Sequence, residues 1–202
     1  MERSHYEKYL EASAQGLKAQ AKTQILLFVG SFHSLAEKQA WVRDNIDSLP
    51  SGSLRHELFE HVVLPVLMDG YMRGDPESMR LLAAFSQNLY KVKEAWAKME
   101  HVSPRLLLER AHRLAPESEK IASALLDEYL QFFGHCDHEW PLGILFTANA
   151  ASLDELTELD RMISAARHLD KAGSATFRLA QFASRVRSFR KGLMETSLSG
   201  EQ

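Results

Sequence analysis

Helical signals run along most of this sequence, whereas strand signals are scarce. This contrast limits the possible folds of the chain more than any other feature. No segment alternates apolar and polar residues over strand length, and no Asn-Gly or Asp-Gly hairpin turn occurs. Apolar residues recur instead at spacings of three and four, as at Leu179, Phe182 and Val186. The sequence therefore predicts an all-α fold, an irregular bundle or a short helical-repeat array of about seven to nine helices.

Capping signals indicate where several of these helices begin. Asp75 precedes Pro76, and Ser103 precedes Pro104, which are the preferred residues at the N-cap and at the first helical position. The predicted helices cover residues 4–29, 34–48, 54–72, 75–100, 104–114, 116–133, 152–169 and 175–194. Pro65 lies inside the third of these and should kink or split it, because proline has no N–H to donate.

Residues 134–149 are predicted to be irregular. Gly134, Pro141 and Gly143 interrupt the helical pattern there. Pro141 also favours an extended backbone at Trp140, the residue before it. An irregular segment of this length in a helical domain is long enough to suggest a function.

The composition is that of an ordinary globular protein. The 202 residues, 45% of them hydrophobic, suit a single helical domain over residues 1–202 that buries its core without disulfides. Cys136 is the single cysteine and cannot form an internal disulfide, which indicates a reducing compartment. No apolar run reaches the ~18–20 residues of a membrane span, and no export signal precedes the first helix. We therefore expect a cytoplasmic protein with no membrane partner.

Charge is distributed unevenly along the chain. Residues 1–160 hold 16 basic and 24 acidic residues, whereas residues 161–191 hold 8 basic residues and one acid, Asp170. The basic C-terminal helix, residues 175–194, carries an apolar stripe and resembles membrane-binding or calmodulin-target helices. Two interpretations are open: the charge marks an interaction surface, or the acidic body attracts the basic helix within one fold.

Residues 73–125 contain a possible two-copy repeat. Segments 73–85 and 113–125 align at an offset of 40 residues, with Arg, Pro, Glu, Ser and Ala matching. Helical solenoids have periods of this size, and residues 107–116 resemble the end of a tetratricopeptide-type helix. The alternative is that Pro-Glu-Ser opens two unrelated helices.

The densest polar cluster is the segment from His135 to Trp140. His135, Cys136 and His138 could bind zinc or copper, or a Cys–His pair could act as a nucleophile. Either chemistry would make the protein a small enzyme or a metal-binding protein whose site lies at residues 135–139. The preferred interpretation is a protein-binding segment made of Asp137, Glu139 and Trp140, because Trp offers a large apolar area and the carboxylates a polar rim.

The remaining histidines do not form a recognisable metal site. His56 and His61 are five residues apart, about 140° around a helix, so they predict surface pairs with Glu60 and Glu57 rather than a zinc site. Glu109 and His112 supply only one half of a di-iron motif. Phosphate-binding loops and catalytic motifs are also absent from the sequence. We predict no catalytic residue, no metal, no cofactor, no enzyme activity and no nucleic-acid partner.

Five stretches carry a resemblance to known proteins. They are Leu54–Phe59, Pro65–Tyr71, Gly74–Glu77, Gln87–Tyr90 and His138–Leu145. Together they resemble uncharacterised all-helical bacterial proteins over about residues 20–170. Some similar small acidic helical proteins act as immunity partners of secreted toxins. The resemblance implies a non-catalytic protein that neutralises a toxin by direct binding, with a basic toxin domain as the partner, and it assigns no site residues.

Overall fold

The fold is all-α in the computed structural model, which describes residues 1–49, 54–139 and 152–199. None of these residues lies in a strand, so the predicted fold class is confirmed. The described residues form eleven continuous helices, slightly more than the seven to nine predicted. One of the eleven contains two α-helical stretches, labelled separately below, that a π-helical stretch joins. The chain divides into two compact units, Met1–Leu114 and Ala115–Gln202. Whether they form one domain, as the sequence predicts, stays a prediction.

The helices of the two units have the following bounds. The first unit contains α1 (Arg3–Ala14), α2 (Lys18–Gly30), α3 (Leu35–Asn45), α4 (His56–Leu58), α5 (Leu64–Met72), α6 (Pro76–Ala84), α7 (Ser86–Leu89), α8 (Lys93–Lys98) and α9 (Pro104–Leu114). The second unit contains α10 (Glu119–Glu139), α11 (Leu153–Leu169) and α12 (Thr176–Ser199).

The predicted helix over residues 4–29 is two helices, α1 and α2. Gly16 breaks it, because this residue adopts a φ of +73° that side-chain-bearing residues rarely tolerate. The break folds α2 back along α1, so that the His5 Nδ1 and Gln24 Oε1 atoms lie 2.8 Å apart. Phe28 of α2 then packs against Tyr6 of α1, with ring centroids 5.1 Å apart.

Pro65 widens its helix without ending it. Residues Phe59–Val63 form a single π-helical stretch that joins α4 to α5 without a gap. The wider turn accommodates a proline that cannot donate the usual hydrogen bond four residues back. The predicted distortion is therefore present, and the helix continues to Met72.

The predicted helix over residues 75–100 is wrong beyond its first half. Asp75 caps α6 as expected, accepting a hydrogen bond from the Ser78 backbone N–H at 2.9 Å. The chain then turns at Phe85 and again before α8. One physical reason lies in Asn88, which is buried and donates its side-chain N–H to the Leu54 carbonyl at 3.0 Å. Satisfying that distant carbonyl outweighs the local helical preference.

The contact between α5 and α6 depends on a glycine. A Cβ atom placed on Gly70 would lie 2.0 Å from the Ser78 Oγ and 2.8 Å from its Cβ. Ser78 is itself buried, and its hydroxyl donates to Asp75. The two helices can approach this closely only because residue 70 has no side chain.

We expect Gly70→Ala to destabilise the protein by about 2–4 kcal/mol, because the added methyl group overlaps Ser78. The free energy of unfolding from urea titration measures this. Gly30→Ala is the control, since no atom lies within 4 Å of its added Cβ, and it should be neutral or stabilising by up to about 1 kcal/mol. Equal effects of the two variants would contradict the close approach.

Glu57, at the start of the π-containing helix, has a lowered pKa. Burial acts to raise the pKa of this carboxyl, but hydrogen bonds and the charges of Arg55 and Lys22 outweigh burial and bring the pKa below its ordinary 4.5. The Arg55 Nε and Nη2 atoms donate to the two carboxylate oxygens at 3.2 and 3.1 Å. Glu57 therefore stabilises the fold only while it is ionised.

Because the folded-state pKa of Glu57 is lowered, its contribution is complete above pH 4.5 and is lost as the pH falls through the lowered value. We expect Glu57→Gln to lose less stability than the wild type between about pH 6 and pH 3. Urea titrations across this range test the slope. Glu94→Gln, at an exposed carboxylate of α8, should keep the wild-type slope. A wild-type slope in Glu57→Gln would show that the Arg55 contact contributes nothing.

The second unit is built around the packing of α12 on its two partner helices. Leu179, Phe182 and Val186 of α12 are buried, and the Phe182 ring stacks on Phe133 of α10 with centroids 4.6 Å apart. The predicted apolar stripe is therefore core over these three positions. α11 begins at a capping box formed by Ser152 and Glu155.

The start of α10 differs from the prediction. Pro116 does not open the helix but lies in a turn, and α10 begins at Glu119. Ser118 caps it weakly, with its Oγ 3.5 Å from the Ile121 backbone N. In the first aligned segment, by contrast, Pro76 is the first helical residue. The two segments of the possible repeat thus adopt different local structures.

No helix in the described ranges combines the length and the apolarity that crossing a bilayer requires.

Candidate protein-binding site

The C-terminal part of α10 corrects the prediction of an irregular segment at residues 134–149. Residues 134–139 continue the helix, and residues 140–149 lie outside the described residues. Burial explains the difference, because Phe133 and Cys136 both lie in the core and need helical spacing to reach it. Gly134 is tolerated beside the Arg178 guanidinium, whose Nη2 donates to the Leu130 carbonyl at 3.1 Å.

The predicted site residues on this part of α10 have different surroundings. His135 is exposed, Cys136 is fully buried, and Asp137 is half-buried. The Asp137 Oδ1 atom lies 2.8 Å from the Arg185 Nη1 atom of α12. His138 and Glu139 lie on α10, but their side chains, and the whole of Trp140, are outside the described residues. The protein-binding role of Glu139 and Trp140 thus stays a prediction.

The structure does not bring the metal-ligand candidates His135 and Cys136 together. Successive residues project about 100° apart on a helix, and here one side chain faces solvent while the other faces the core. A search of the described residues finds no group of three His, Cys, Asp or Glu side chains that could hold a metal ion. A metal site or a catalytic site at residues 135–139 stays a hypothesis without a geometric arrangement to support it.

The other histidine predictions are partly met. His56 Nε2 lies 3.2 Å from Glu60 Oε2, as the spacing of four predicts. Glu57, expected beside His61, is bound by Arg55 instead. A guanidinium group can bind a carboxylate through two parallel hydrogen bonds, which explains why Arg55 is the preferred partner of Glu57.

The uneven distribution of acidic and basic residues along the chain arises mainly in the second unit. Residues 1–114 hold 15 basic and 14 acidic residues, whereas residues 115–160 hold one basic and ten acidic residues. Within the described part of the chain, the basic helix α12 meets this acidic segment through ion pairs of Arg185 and Arg190. Arg185 binds Asp137 on α10 at 2.8 Å, and Arg190 binds Asp160 on α11 at 2.6 Å. These pairs favour attraction within the fold as the interpretation of the basic helix.

We expect Asp137→Lys to destabilise the protein more than Asp137→Ala, because the new ammonium would lie beside Arg185. Adding Arg185→Glu to Asp137→Lys should restore about 0.5–1 kcal/mol, as an exposed pair of reversed polarity forms again. Urea titration of the single and double variants measures this coupling. A coupling of zero would mean that the ion pair contributes nothing to stability.

A groove in the second unit lies between the start of α10 and the turn that joins α11 to α12. Its volume is about 260 Å³, and its lining combines apolar and carboxylate groups. Ala122, Leu126 and Leu169 contribute apolar surface, and Glu117 and Glu119 contribute exposed carboxylates. The sequence pattern does not reveal this groove, because its two walls are about 50 residues apart in the chain. The acidic start of α10 was the available signal.

The two walls of the groove differ in how strongly their charges are engaged. On the α11–α12 side, Asp170 accepts hydrogen bonds from the Ala175 backbone N at 2.9 Å and from the Ser174 hydroxyl at 3.2 Å. Its carboxylate therefore holds the turn before α12. Lys171 contributes one ammonium to this side. The exposed carboxylates on the α10 side are the groups best placed to meet a ligand.

Comparison with protein-family models, with curated proteins and with solved structures found no match to this chain. Its function has to be inferred from its own residues.

Proposed function

We propose that this chain is a non-catalytic, protein-binding protein of the immunity type, which neutralises a toxin in the cytoplasm by binding it directly. The observation that carries the proposal is the groove of the second unit, whose lining combines apolar residues with the acidic residues Glu117 and Glu119. This combination suits an arginine or lysine side chain of a partner.

The α10 side of the groove fits both the apolar stem and the charged tip of a basic side chain, whereas Lys171 on the other side would repel the charge. Lysine and arginine have apolar stems that pack on aliphatic surface, and they carry a charge at the tip. Ala122 and Leu126 provide such a surface, and Glu117 and Glu119 lie at the groove where they can meet the charge. A volume of about 260 Å³ suits a side chain better than a large metabolite.

The charge of the surrounding segment supports a basic partner. Residues 115–160 carry nine more acidic than basic residues, and α12 engages Asp137 and Asp160. Glu117, Glu119 and Asp127 remain exposed on this segment. A negative surface attracts a basic toxin domain at long range and accelerates its capture.

The burial of Cys136 supports a role other than nucleophilic catalysis. A reactive cysteine needs access to substrate and a nearby cation that stabilises its thiolate. The Cys136 side chain is 0% exposed, and it belongs to the packed side of α10. Its position is that of a small apolar residue in a core.

The product of the neighbouring gene is the first partner to test, by isothermal titration calorimetry with the full chain. We expect tight binding, and a dissociation constant about 10- to 100-fold larger for the variant with both Glu117→Lys and Glu119→Lys. Growth of cells that express both genes provides a second readout. The double variant should fail to protect them.

Glu94→Lys is the matched control, because it reverses an exposed carboxylate on α8, far from the groove in sequence. It should bind and protect like the wild type. Circular dichroism should show that both variants keep their helical content. Equal binding by the groove variant and the wild type would rule out the groove as the binding site, and absence of any binding or protection would contradict the immunity role.

A further inference from the structure

A further cavity, in the first unit, lies between the start of α1 and the end of α3. Its volume is about 330 Å³, which is at the lower end of the range for sites that bind small molecules. Each helix contributes three side chains, at spacings of three and four that place them on one face. They are Arg3, Tyr6 and Glu7 of α1, and Trp41, Asp44 and Asn45 of α3. Each wall of the cavity thus carries an aromatic ring and a carboxylate.

The charged side chains of this cavity do not pair with one another. Arg3, Glu7 and Asp44 are exposed, and within the described part of the chain none of the three forms an ion pair. Arg80 of the same unit, by contrast, binds Glu77 at 2.6 Å. The cavity therefore presents one cation and two anions to a ligand.

The rest of the lining is neutral and is held in place. Trp41 is 3% exposed, and its ring lies edge-on to those of Phe28 and Tyr6, with centroids 5.4 Å apart in both pairs. The Asn45 side chain donates a hydrogen bond to the Trp41 carbonyl at 2.8 Å. Burial, and then the nearby Tyr9, raise the pKa of Tyr6 above its ordinary 10.0, so its phenol stays neutral. The charge of the lining therefore comes from its three charged side chains alone.

We propose that this cavity binds a free basic amino acid, with L-lysine as the probe. Such a ligand carries one carboxylate and two cationic groups, which is the reverse of the charges that the cavity presents. The proposal concerns the first unit and does not rest on the proposed binding of a toxin.

The positions of the three charged side chains assign one group of the ligand to each. Arg3 and Glu7 lie one turn apart on α1, with about 5–6 Å between Cβ atoms at this spacing. This suits the α-carboxylate and the α-ammonium, which a single carbon atom joins. The guanidinium of Arg3 can bind the carboxylate through two hydrogen bonds. Asp44 lies on the other wall and meets the cation at the end of the ligand, whose methylene stem packs on the half-buried ring of Tyr6.

Titration of the full chain with L-lysine, followed by the amide shifts in its NMR spectrum, tests the proposal. We expect saturable shifts in α1 and α3, with a dissociation constant below about 1 mM. Arg3→Gln, Glu7→Gln and Asp44→Asn should each raise this constant about 3- to 10-fold, because each removes one charged contact at a partly exposed position. A wild-type constant above about 1 mM, or shifts confined to other helices, would overturn the proposal.

Three analogues of L-lysine, each lacking one charged group, test which side chain meets which group. Cadaverine lacks the carboxylate, ε-aminocaproic acid lacks the α-ammonium, and L-norleucine lacks the terminal cation. The wild type should prefer L-lysine to each of them. Arg3→Gln should lose the preference over cadaverine, Glu7→Gln that over ε-aminocaproic acid, and Asp44→Asn that over L-norleucine. A variant that keeps the wild-type preference over its matching analogue would overturn the arrangement.

Arg43→Gln is the matched control, because Arg43 is an exposed arginine beside Asp44 on α3 that does not line the cavity. It should bind L-lysine and the three analogues like the wild type. Circular dichroism should show that all four variants keep their helical content. An equal loss of L-lysine binding in Arg43→Gln and Arg3→Gln would overturn the site, because general surface charge would then explain the binding.

Discussion

The second unit depends on how α12 is held against α10 and α11. Leu179, Phe182 and Val186 of α12 enter the core, and Phe182 stacks on Phe133 of α10. Burial of this stripe supplies the larger part of the attraction, since each such side chain contributes ~1.5–3 kcal/mol. The ion pairs of Arg185 with Asp137 and of Arg190 with Asp160 then add electrostatic attraction between α12 and the two acidic helices. Glu117, Glu119 and Asp127 are exposed on the same unit, and we propose that the partner binds there.

Local sequence signals predicted helix starts better than helix lengths. The Asp75–Pro76 and Ser103–Pro104 starts are both confirmed, because capping depends on residues a few positions apart. Lengths depend on distant contacts, which the sequence pattern does not contain. The helix predicted over residues 75–100 breaks at Phe85 and again before α8, on either side of Asn88, whose side chain reaches the Leu54 carbonyl. α10 extends past Gly134 because Cys136 belongs to the core.

The candidate site was harder to predict than the fold. Polar residues cluster in the sequence at residues 135–139, but a helix distributes neighbouring residues to different sides. Asp137 is engaged by Arg185, 48 positions away, and no pattern within either segment indicates that pair. The groove likewise joins Glu117 and Lys171, which lie in two separate turns of the chain. The sequence shows that charge is distributed unevenly, whereas only the three-dimensional arrangement shows which charged residues pair.

The most direct test of this account is amide hydrogen exchange in α12 of the full chain at low and high salt. If attraction between the acidic and basic helices helps hold α12, screening should lower the free energy of opening by about 0.5–2 kcal/mol. Exchange of its buried stripe should then be faster in about 1 M NaCl than in 20 mM NaCl. Exchange in α12 that is unchanged or slower at high salt would contradict the claim that attraction to the acidic helices helps hold α12.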